Sequence, residues 1–390
     1  MTSTASLSEN RLDRWLEGWP AVTAEGLGAF RILYATSILL FVHPTRLWVS
    51  ELPASWWAPP PGPMALLSGP PPAEVVIAGH LVFGVLAGAL AIGYRTGSVS
   101  VALSVLWLFL DGVAYSWGKI DHGSFLIAVI PLALAVAGWG ATFSVDATVG
   151  RGVRRVRRWP ITAFAALVAF SVATSAIPKI LGGWLNLDTA ATRSHLLRNH
   201  LVHGRDALLA PYATDLPLGA PWPLLDITVI AVELCLVLLL FHRSAFRAGI
   251  ALLIAFHTGV ALTMNISFTT SLWFYAVFAP AVWWSRPAAR LGIPVHLPPR
   301  AAPIAAAFGG GTSLIVVLVG DRPAPALLTL LHIPEPNLVL GVALFTLALT
   351  MIVAWAWSQM LRPLMGRQTE SRVRRGPPDH RTRHNQLDRH

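Results

Sequence analysis

Residues 74–93, EVVIAGHLVFGVLAGALAIG, and residues 97–115, GSVSVALSVLWLFLDGVAY, decide the fold of this chain. Each is an apolar run of about 20 residues, the length that an α-helix needs to cross ~30 Å of hydrocarbon. Inside lipid, every backbone amide must be hydrogen-bonded within its own segment, so such runs can form only helices. The short stretch around Arg95 between them predicts two neighbouring helices joined by a tight turn.

The same pattern continues along the chain. Apolar residues make up 54% of the 390 residues and charged residues only 12%, about half the charged fraction of a soluble domain. A buried core helix of a soluble enzyme would explain one such run, but not ten. We therefore predict an all-α, polytopic transmembrane bundle in a lipid bilayer. Its ten spans are predicted at 25–43, 74–93, 97–115, 123–140, 158–177, 223–241, 247–265, 269–285, 303–320 and 337–357.

Positive charge gives the predicted bundle an orientation. With the N-terminus in the cytoplasm, the cytoplasmic side collects 21 of the 29 cations, and the opposite side collects seven. The positive-inside rule favours this arrangement, so both termini are predicted to lie in the cytoplasm. The net charge of +10 then reflects topology and anionic lipid headgroups, and we do not expect nucleic-acid binding.

The ends of the chain differ from its apolar middle. Residues 1–24 are predicted to be a cytoplasmic amphipathic N-terminus, because they lack the layout of a cleaved signal peptide. Residues 25–285 form the main transmembrane domain, and residues 286–360 add two further spans. Residues 361–390 are rich in Arg, His and Pro and predict a disordered basic tail. The single cysteine excludes a disulfide framework and a CxxC redox pair.

Two lysines stand out against 27 arginines. Lys119 and Lys179 are both predicted on the non-cytoplasmic side of the membrane. An arginine stays charged in a protein, whereas a lysine in apolar surroundings can lose its proton and become an amine base. Lys179 follows an apolar run and has apolar neighbours on both sides, which makes it a candidate for such a base. The alternative is a structural lysine that extends its charge to the membrane interface.

Several other ionisable residues are candidates for function. The loop around Lys119 also holds Asp121 and His122, although His122 alone suits the start of a helix. Within the spans, Arg31 and Glu233 are expected to pair. Asp111 and Asp226 lie near the outer ends of their spans, and with the lysines they suggest a polar cavity that opens outward. A second histidine group, at 195, 200 and 203, lacks an acid or cysteine to complete a metal site, so we predict an interfacial helix there and no metal.

Three signatures follow one another in this part of the chain. They are Lys119-x-x-His-x-Ser-x-Leu126 with Ser144-Val-Asp146 behind it, Lys179-x-x-x-x-Trp184, and Phe256-His257 with Asn265-Ile-Ser-Phe268 behind it. In this order, and with Arg31 near the start of the first span, they resemble the vitamin K-dependent γ-carboxylase family. In its wider bacterial form this family is the HTTM (horizontally transferred transmembrane) domain. The resemblance covers residues 25–285.

The resemblance implies a site on the extracytoplasmic face. In the carboxylases, the lysine matched by Lys179 is the base that acts on reduced vitamin K, and the histidine matched by His122 supports it. Carbon dioxide is finally added to a glutamyl side chain. The resemblance implies a protein of a bacterial cytoplasmic membrane that binds a reduced, quinone-like molecule in an outward-facing cavity. Its expected activity is a base-catalysed, carboxylase-like modification of a peptide or small molecule. The expected cavity residues are Lys119, Asp121, Trp184, His257 and Asp226.

The sequence also departs from the carboxylases. Those enzymes carry a large lumenal domain after the helices, and the predicted outer loops here are too short to form one. Carboxylation of a propeptide-bearing client is therefore not expected. Three alternatives stay open: a peptide-maturation or export factor like the sporulation-delaying protein B group, a transporter, and a non-catalytic subunit of a membrane complex. The transporter would use a helix broken at Pro178, Gly182 and Gly183.

Overall fold

The structure is a computed structural model, and its helices confirm the all-α class. Among the described residues there is no β-strand, and six helices are long and apolar enough to cross a membrane. A multi-pass membrane protein is the architecture that these helices support. The described residues are 11–18, 23–118, 122–152, 156–205, 207–216, 222–266, 268–278, 298–320, 322–333, 339–344, 346–350 and 352.

The six spanning helices have close counterparts in the prediction. They are α3 (Ala73–Ala91), α4 (Thr96–Tyr115), α7 (Trp159–Leu181), α10 (Trp222–Leu239), α11 (Arg243–Met264) and α13 (Ala301–Val319). The remaining helices are shorter: α1 (Arg11–Glu17), α2 (Ala24–Leu40), α5 (His122–Ala137), α6 (Val145–Thr148), α8 (Ala191–Leu197), α9 (Ala210–Thr214), α12 (Thr269–Ala276) and α14 (Pro323–Leu330).

The other four predicted spans stay predictions. Helices α2 and α5 occupy two of them, but with 17 and 16 residues they are shorter than the six long helices. The predicted spans at 269–285 and 337–357 run into residues outside the described ranges. The chain divides into two compact units, Met1–Phe345 and Thr346–His390. The helices named above belong to the first unit, and residues 346–350 of the second are also helical. The predicted tail, 361–390, lies outside the described residues.

Helices α3 and α13 pack at very short distance because both present glycine to the contact. A Cβ atom added at Gly309 would lie 2.0 Å from the carbonyl oxygen of Gly84. One added at Gly88 would lie 2.1 Å from the carbonyl oxygen of Ala305. No side chain larger than hydrogen fits at these points. Close backbone approach at small residues is a common way for helices to associate in membranes, where lipid removes the hydrophobic drive.

Arg31 connects α2 to the turn that follows α5 by hydrogen bonds. Its side chain is fully buried and donates hydrogen bonds to the backbone carbonyls of Trp139 (2.6 Å), Thr142 (3.2 Å) and Phe143. The structure therefore corrects the expected Arg31–Glu233 ion pair. A turn after a helix exposes carbonyl oxygens that lack helical partners, and a guanidinium with five donors can satisfy several of them at once.

Asp146 stabilises the tight turn between α3 and α4. Its carboxylate accepts hydrogen bonds from the backbone amides of Arg95 (2.9 Å) and Thr96 (2.6 Å) and from the Thr96 hydroxyl (2.7 Å). Arg95 adopts a left-handed backbone conformation, with φ of 46°, which lets the chain reverse within a few residues. The Ser-Val-Asp motif at 144–146 thus acts as a helix cap in this structure.

A folded connection joins the end of α7 to the start of α10, at one end of the bundle. We call the described residues 182–205 and 207–216 the 182–216 segment; it contains α8, a π-helix (Arg198–Val202) and α9. Its small apolar core consists of Leu196, Ala207 and Ala210, packed with Trp222 at the start of α10. A backbone hydrogen bond of 2.8 Å from Leu209 to Leu262 ties it to α11. This order of elements places the segment over the ends of α7, α10 and α11.

Candidate functional site

A cavity of about 730 Å³ lies between α7, α10, α11 and α12, beneath the 182–216 segment. Its wall is mainly apolar and aromatic, with Val172, Val229, Leu253, Phe256, Val260 and Phe274 among the lining residues. A volume of this size lies within the range of about 300–1,000 Å³ that small-molecule sites occupy. The few polar groups that face it are therefore the ones that would orient a bound molecule.

Lys179 and Glu233 form an ion pair in the wall of the cavity. The Lys179 Nζ atom donates to both carboxylate oxygens of Glu233 at 2.7 Å and to the Ser175 carbonyl at 3.2 Å. The Lys179 side chain is 24% exposed and that of Glu233 is 10% exposed. Because a charge leaving water loses much of its hydration, each of the two groups needs the other to be stable there. The pair adds no net charge to the cavity.

Lys179 reaches this position because α7 continues past Pro178. The helix runs unbroken from Trp159 to Leu181. Of the three residues at which the transporter alternative places a break, Pro178 therefore lies within the helix, and Gly182 and Gly183 lie in the turn that ends it. A proline removes one backbone donor, which is tolerated here in the last turn of the helix. A lysine in that turn also faces the negative end of the helix dipole. The ammonium group lies 5.8 Å from the ring centre of Trp184, within range of a cation–π contact.

A histidine and its aromatic neighbours form another side of the cavity. The His257 ring stacks on Phe268 with ring centroids 4.3 Å apart and on Tyr275 with centroids 5.8 Å apart. The Tyr275 hydroxyl lies 3.4 Å from Nδ1 of His257, at the long end of hydrogen-bond distance. Asn265 brings these groups together, because its left-handed backbone (φ of 51°) ends α11 and turns the chain back toward it.

The rim of the cavity belongs to the 182–216 segment. Trp184, Thr192 and His195 line it, and the rings of Trp184 and His195 have centroids 5.4 Å apart. His195 is exposed, whereas Trp184 is half-buried. This histidine was grouped in the prediction with the interfacial helix and was not assigned to the site. The structure places it at the mouth of the cavity.

Of the predicted site residues, the structure brings Lys179, Trp184 and His257 to one cavity. Asp226 has a different role: it is fully buried and accepts hydrogen bonds from the backbone amides of Ala191 (2.9 Å) and Thr192 (2.8 Å). It therefore caps the start of α8, because the first amides of a helix have no helical partners. Its expected position in the cavity wall is corrected accordingly.

The structure describes one of the three predicted loop residues, His122. Lys119 and Asp121 lie outside the described residues, and His122 is described only by its backbone, as the first residue of α5. That backbone lies at the same end of the bundle as Lys179. Helix α5 packs against α7, and a hydrogen bond of 3.1 Å from the Arg157 amide to the Ala137 carbonyl joins the end of α5 to the start of α7. The two helices are therefore antiparallel.

Besides His195, two site residues were missed or misassigned from the sequence, Glu233 and Tyr275. Glu233 was paired with Arg31, although it lies seven residues after Asp226 and hence on the same face of α10. That spacing, with an acid at both positions, was the available signal for a polar face on α10. Tyr275 likewise lies seven residues after Phe268. Both of these aromatic residues contact His257.

Other buried polar groups form a structural cluster away from this cavity. Asp111 accepts a salt-bridging hydrogen bond from Arg46 (2.8 Å) and another from the Ser124 hydroxyl. His80 lies 2.7 Å from the carbonyl oxygens of both Val76 and Pro44. These contacts connect α3, α4 and α5 to the loop after α2. Within the described part of the chain, no group of three His, Cys, Asp or Glu side chains is arranged to hold a metal ion.

Comparison with known protein families, with curated proteins and with solved structures found no match to this chain. The candidate site is consequently defined by its own geometry. That geometry consists of a neutral ion pair, a histidine stacked between two aromatic rings, and an apolar cavity beneath a folded segment at one end of a bundle of apolar helices.

Proposed function

We propose that this protein binds a lipophilic, quinone-like molecule in the cavity and exchanges protons with it through the Lys179–Glu233 pair. The observation that carries the proposal is the position of this ion pair in the wall of a mainly apolar and aromatic cavity of about 730 Å³. A buried ion pair costs more hydration than a pair of apolar residues of similar size. Its presence in a ligand-sized cavity points to a role in binding or chemistry.

The cavity fits the reduced form of a quinone in shape and polarity. Such a molecule has a flat aromatic ring, hydroxyl groups and an apolar tail. The Glu233 carboxylate can accept a hydrogen bond from a hydroxyl group, and the Lys179 ammonium can donate one to the same oxygen. Aromatic side chains such as Phe256, Phe268 and Tyr275 offer faces for ring stacking. Because the pair is neutral overall, the site favours an uncharged head group over an anion.

Proton transfer is the chemistry that the pair can perform. When bound, a quinol supplies two electrons and two protons to a reaction partner. Glu233 can take the proton of Lys179 across their 2.7 Å hydrogen bonds, which leaves a neutral amine beside the ligand as a general base. The His257–Tyr275 contact provides a second group that can hold a proton on another wall of the cavity.

The wider proposal is an HTTM-like protein of a bacterial cytoplasmic membrane, with about ten spans, both termini inside and the cavity opening outward. The resemblance of residues 25–285 to the γ-carboxylase family supports this reading, with Lys179 as the base and His122 as its supporting group. The antiparallel packing of α5 and α7 is consistent with it, because both residues lie at one end of the bundle. The proposed second substrate is a peptide or small molecule that the protein modifies.

Binding of a naphthoquinone with a short isoprenoid tail tests the proposal directly. The protein in lipid nanodiscs is titrated with this probe in its reduced form, and binding is followed by quenching of tryptophan fluorescence. We expect Lys179→Met and Glu233→Gln each to weaken binding at least about tenfold, because each variant loses one charge-assisted hydrogen bond to the probe. Glu74→Gln is the matched control, because Glu74 is exposed on α3. Equal affinity in the parent and both site variants would refute the proposal.

The conservative variant Lys179→Arg separates binding from proton transfer. Arginine keeps the ion pair with Glu233 but does not give up its proton in a protein. We expect this variant to bind the probe with an affinity within about threefold of the parent, while oxygen-dependent oxidation of the bound quinol slows at least about tenfold. Unchanged oxidation in Lys179→Arg would remove Lys179 from the chemistry and leave it a role in binding alone.

A further inference from the structure

The 182–216 segment exposes many large apolar side chains, although it connects two spanning helices. Those that face away from the protein with most of their surface exposed are Leu187 (63%), Leu201 (69%), Val202 (73%), Leu208 (69%) and Tyr212 (75%). Soluble surfaces seldom carry so many large apolar residues in one short stretch. In water this surface would be unfavourable, so it needs an apolar partner.

The opposite side of the segment is fixed to the protein. Leu196 and Ala210 are buried with Trp222 in a small core, and Asp226 caps the start of α8. The Leu209 amide donates to the Leu262 carbonyl. Since these contacts hold the buried side, the apolar side chains on the other side form a defined surface and cannot simply fold inward to bury themselves.

The exposed surface continues the apolar surface of the spanning helices. Phe170 (66% exposed) and Ile177 (50%) lie along α7, Leu181 (83%) ends it, and Leu224 (66%) lies in the first turn of α10. In a membrane, the exposed side chains of such helices contact acyl chains. The segment begins directly after Leu181 and ends before α10, so the lipid that surrounds those helices also reaches the segment.

The arginines of the segment also indicate a lipid bilayer as the apolar partner. The stretch from Arg193 to Arg205 contains three arginines, and Arg198 and Arg205 are exposed beside Leu201 and Val202. Cations next to apolar side chains are typical of surfaces that lie in the plane of a bilayer, where the apolar groups enter by about 5–10 Å and the cations meet anionic headgroups. A partner protein would not require this combination along both the segment and the spanning helices.

We infer that the 182–216 segment lies on the bilayer, with its exposed apolar side chains inserted among the acyl chains of the leaflet at this end of the bundle. Trp184, Thr192 and His195 belong to the segment and line the cavity. The mouth of the cavity therefore opens at the lipid boundary, and a lipophilic molecule enters it from the membrane without crossing water. This inference concerns the surface and holds for whatever molecule the cavity binds.

Spin labels at single cysteines test the inference. In a Cys235→Ser background, a nitroxide is attached at Val202→Cys, Leu208→Cys and Tyr212→Cys. All three side chains are exposed, so the labels leave the packing intact.

The protein is placed in vesicles of phosphatidylethanolamine and phosphatidylglycerol. Collisions of each label with oxygen, which concentrates in lipid, are compared with collisions with a water-soluble nickel chelate. Phe170→Cys is the lipid reference, and Asp188→Cys, an exposed polar site of the same segment, is the water reference.

The two outcomes are distinct. We expect the labels at 202, 208 and 212 to collide preferentially with oxygen, as the label at 170 does, and the label at 188 to collide preferentially with the nickel chelate. If the three labels behave like the label at 188, the surface lies in water and the inference is wrong. If they are shielded from both reagents, another protein or a second copy of the chain covers the surface, and the inference is also wrong.

Discussion

At the scale of single residues, the ion pair between Lys179 and Glu233 decides what the cavity can do. The residues lie 54 positions apart and meet because α7 and α10 pack together. The sequence allowed Lys179 to be chosen, since only two lysines occur among 29 cations. Its partner was predicted wrongly, because Glu233 was paired with Arg31, the cation placed within a span. Only the packing of the helices decides between Arg31 and Lys179.

Replacing one member of the ion pair should destabilise the protein more than replacing both members. We expect Lys179→Met to lower the free energy of unfolding by about 2–3 kcal/mol, somewhat less than for a fully buried pair, because Lys179 is partly exposed. The double variant Lys179→Met/Glu233→Gln should recover most of that loss, since it leaves no unpaired charge. Thermal unfolding of the purified protein in detergent measures both. A double variant that is less stable than either single variant would contradict the argument.

At the scale of helices and turns, most long elements follow from apolar length alone. The predicted runs 74–93 and 97–115 correspond to Ala73–Ala91 and Thr96–Tyr115, because the hydrophobic length sets where a helix can end. The run predicted at 158–177 is longer in the structure and ends at Leu181, because one proline near a helix end removes only one hydrogen bond. The shape of the 182–216 segment depends on contacts with α10 and α11 and could not be read from local sequence.

Helix α13 offers a matched test of close packing. We expect Gly309→Ala to destabilise the protein by about 1–3 kcal/mol, as overpacking does, because the added methyl group would collide with the Gly84 carbonyl. Gly311→Ala lies on the same helix with open space around the new Cβ. It should be neutral or stabilise by up to about 1 kcal/mol through helix propensity. Thermal unfolding compares the two, and equal effects would show that α3 and α13 are not tightly packed.

At the scale of the whole molecule, charge distribution and site position are linked. Six apolar helices support a multi-pass membrane protein, while the orientation rests on the 21 cations predicted on one side. In that orientation, the end of α7 that carries Lys179 faces outward, and so does the 182–216 segment. The side of the membrane on which the site lies stays a prediction from the cations. A cavity was predicted too, but not its walls, which are formed by four helices and the segment together.

Labelling of single cysteines in intact spheroplasts tests this orientation. In the Cys235→Ser background, Asn186→Cys lies in the 182–216 segment and Arg151→Cys lies in a turn before α7, and both residues are exposed. We expect a membrane-impermeant maleimide to label position 186 in intact spheroplasts and position 151 only after the membrane is permeabilised. The reverse pattern would place the site on the cytoplasmic side.

The burial of Arg31 also has a consequence for synthesis of the chain. Its acceptors lie 108 to 112 residues further along, so a ribosome that adds about 5–20 residues per second needs about 5–20 s to supply them. Until then, α2 carries a guanidinium whose insertion at the centre of a span costs about 2.5–3.5 kcal/mol. If α2 crosses the membrane as predicted, it has to be sheltered by the insertion machinery or held near the interface while the next helices emerge. A nascent chain that stops before Trp139 never acquires the carbonyl groups that accept the hydrogen bonds of Arg31.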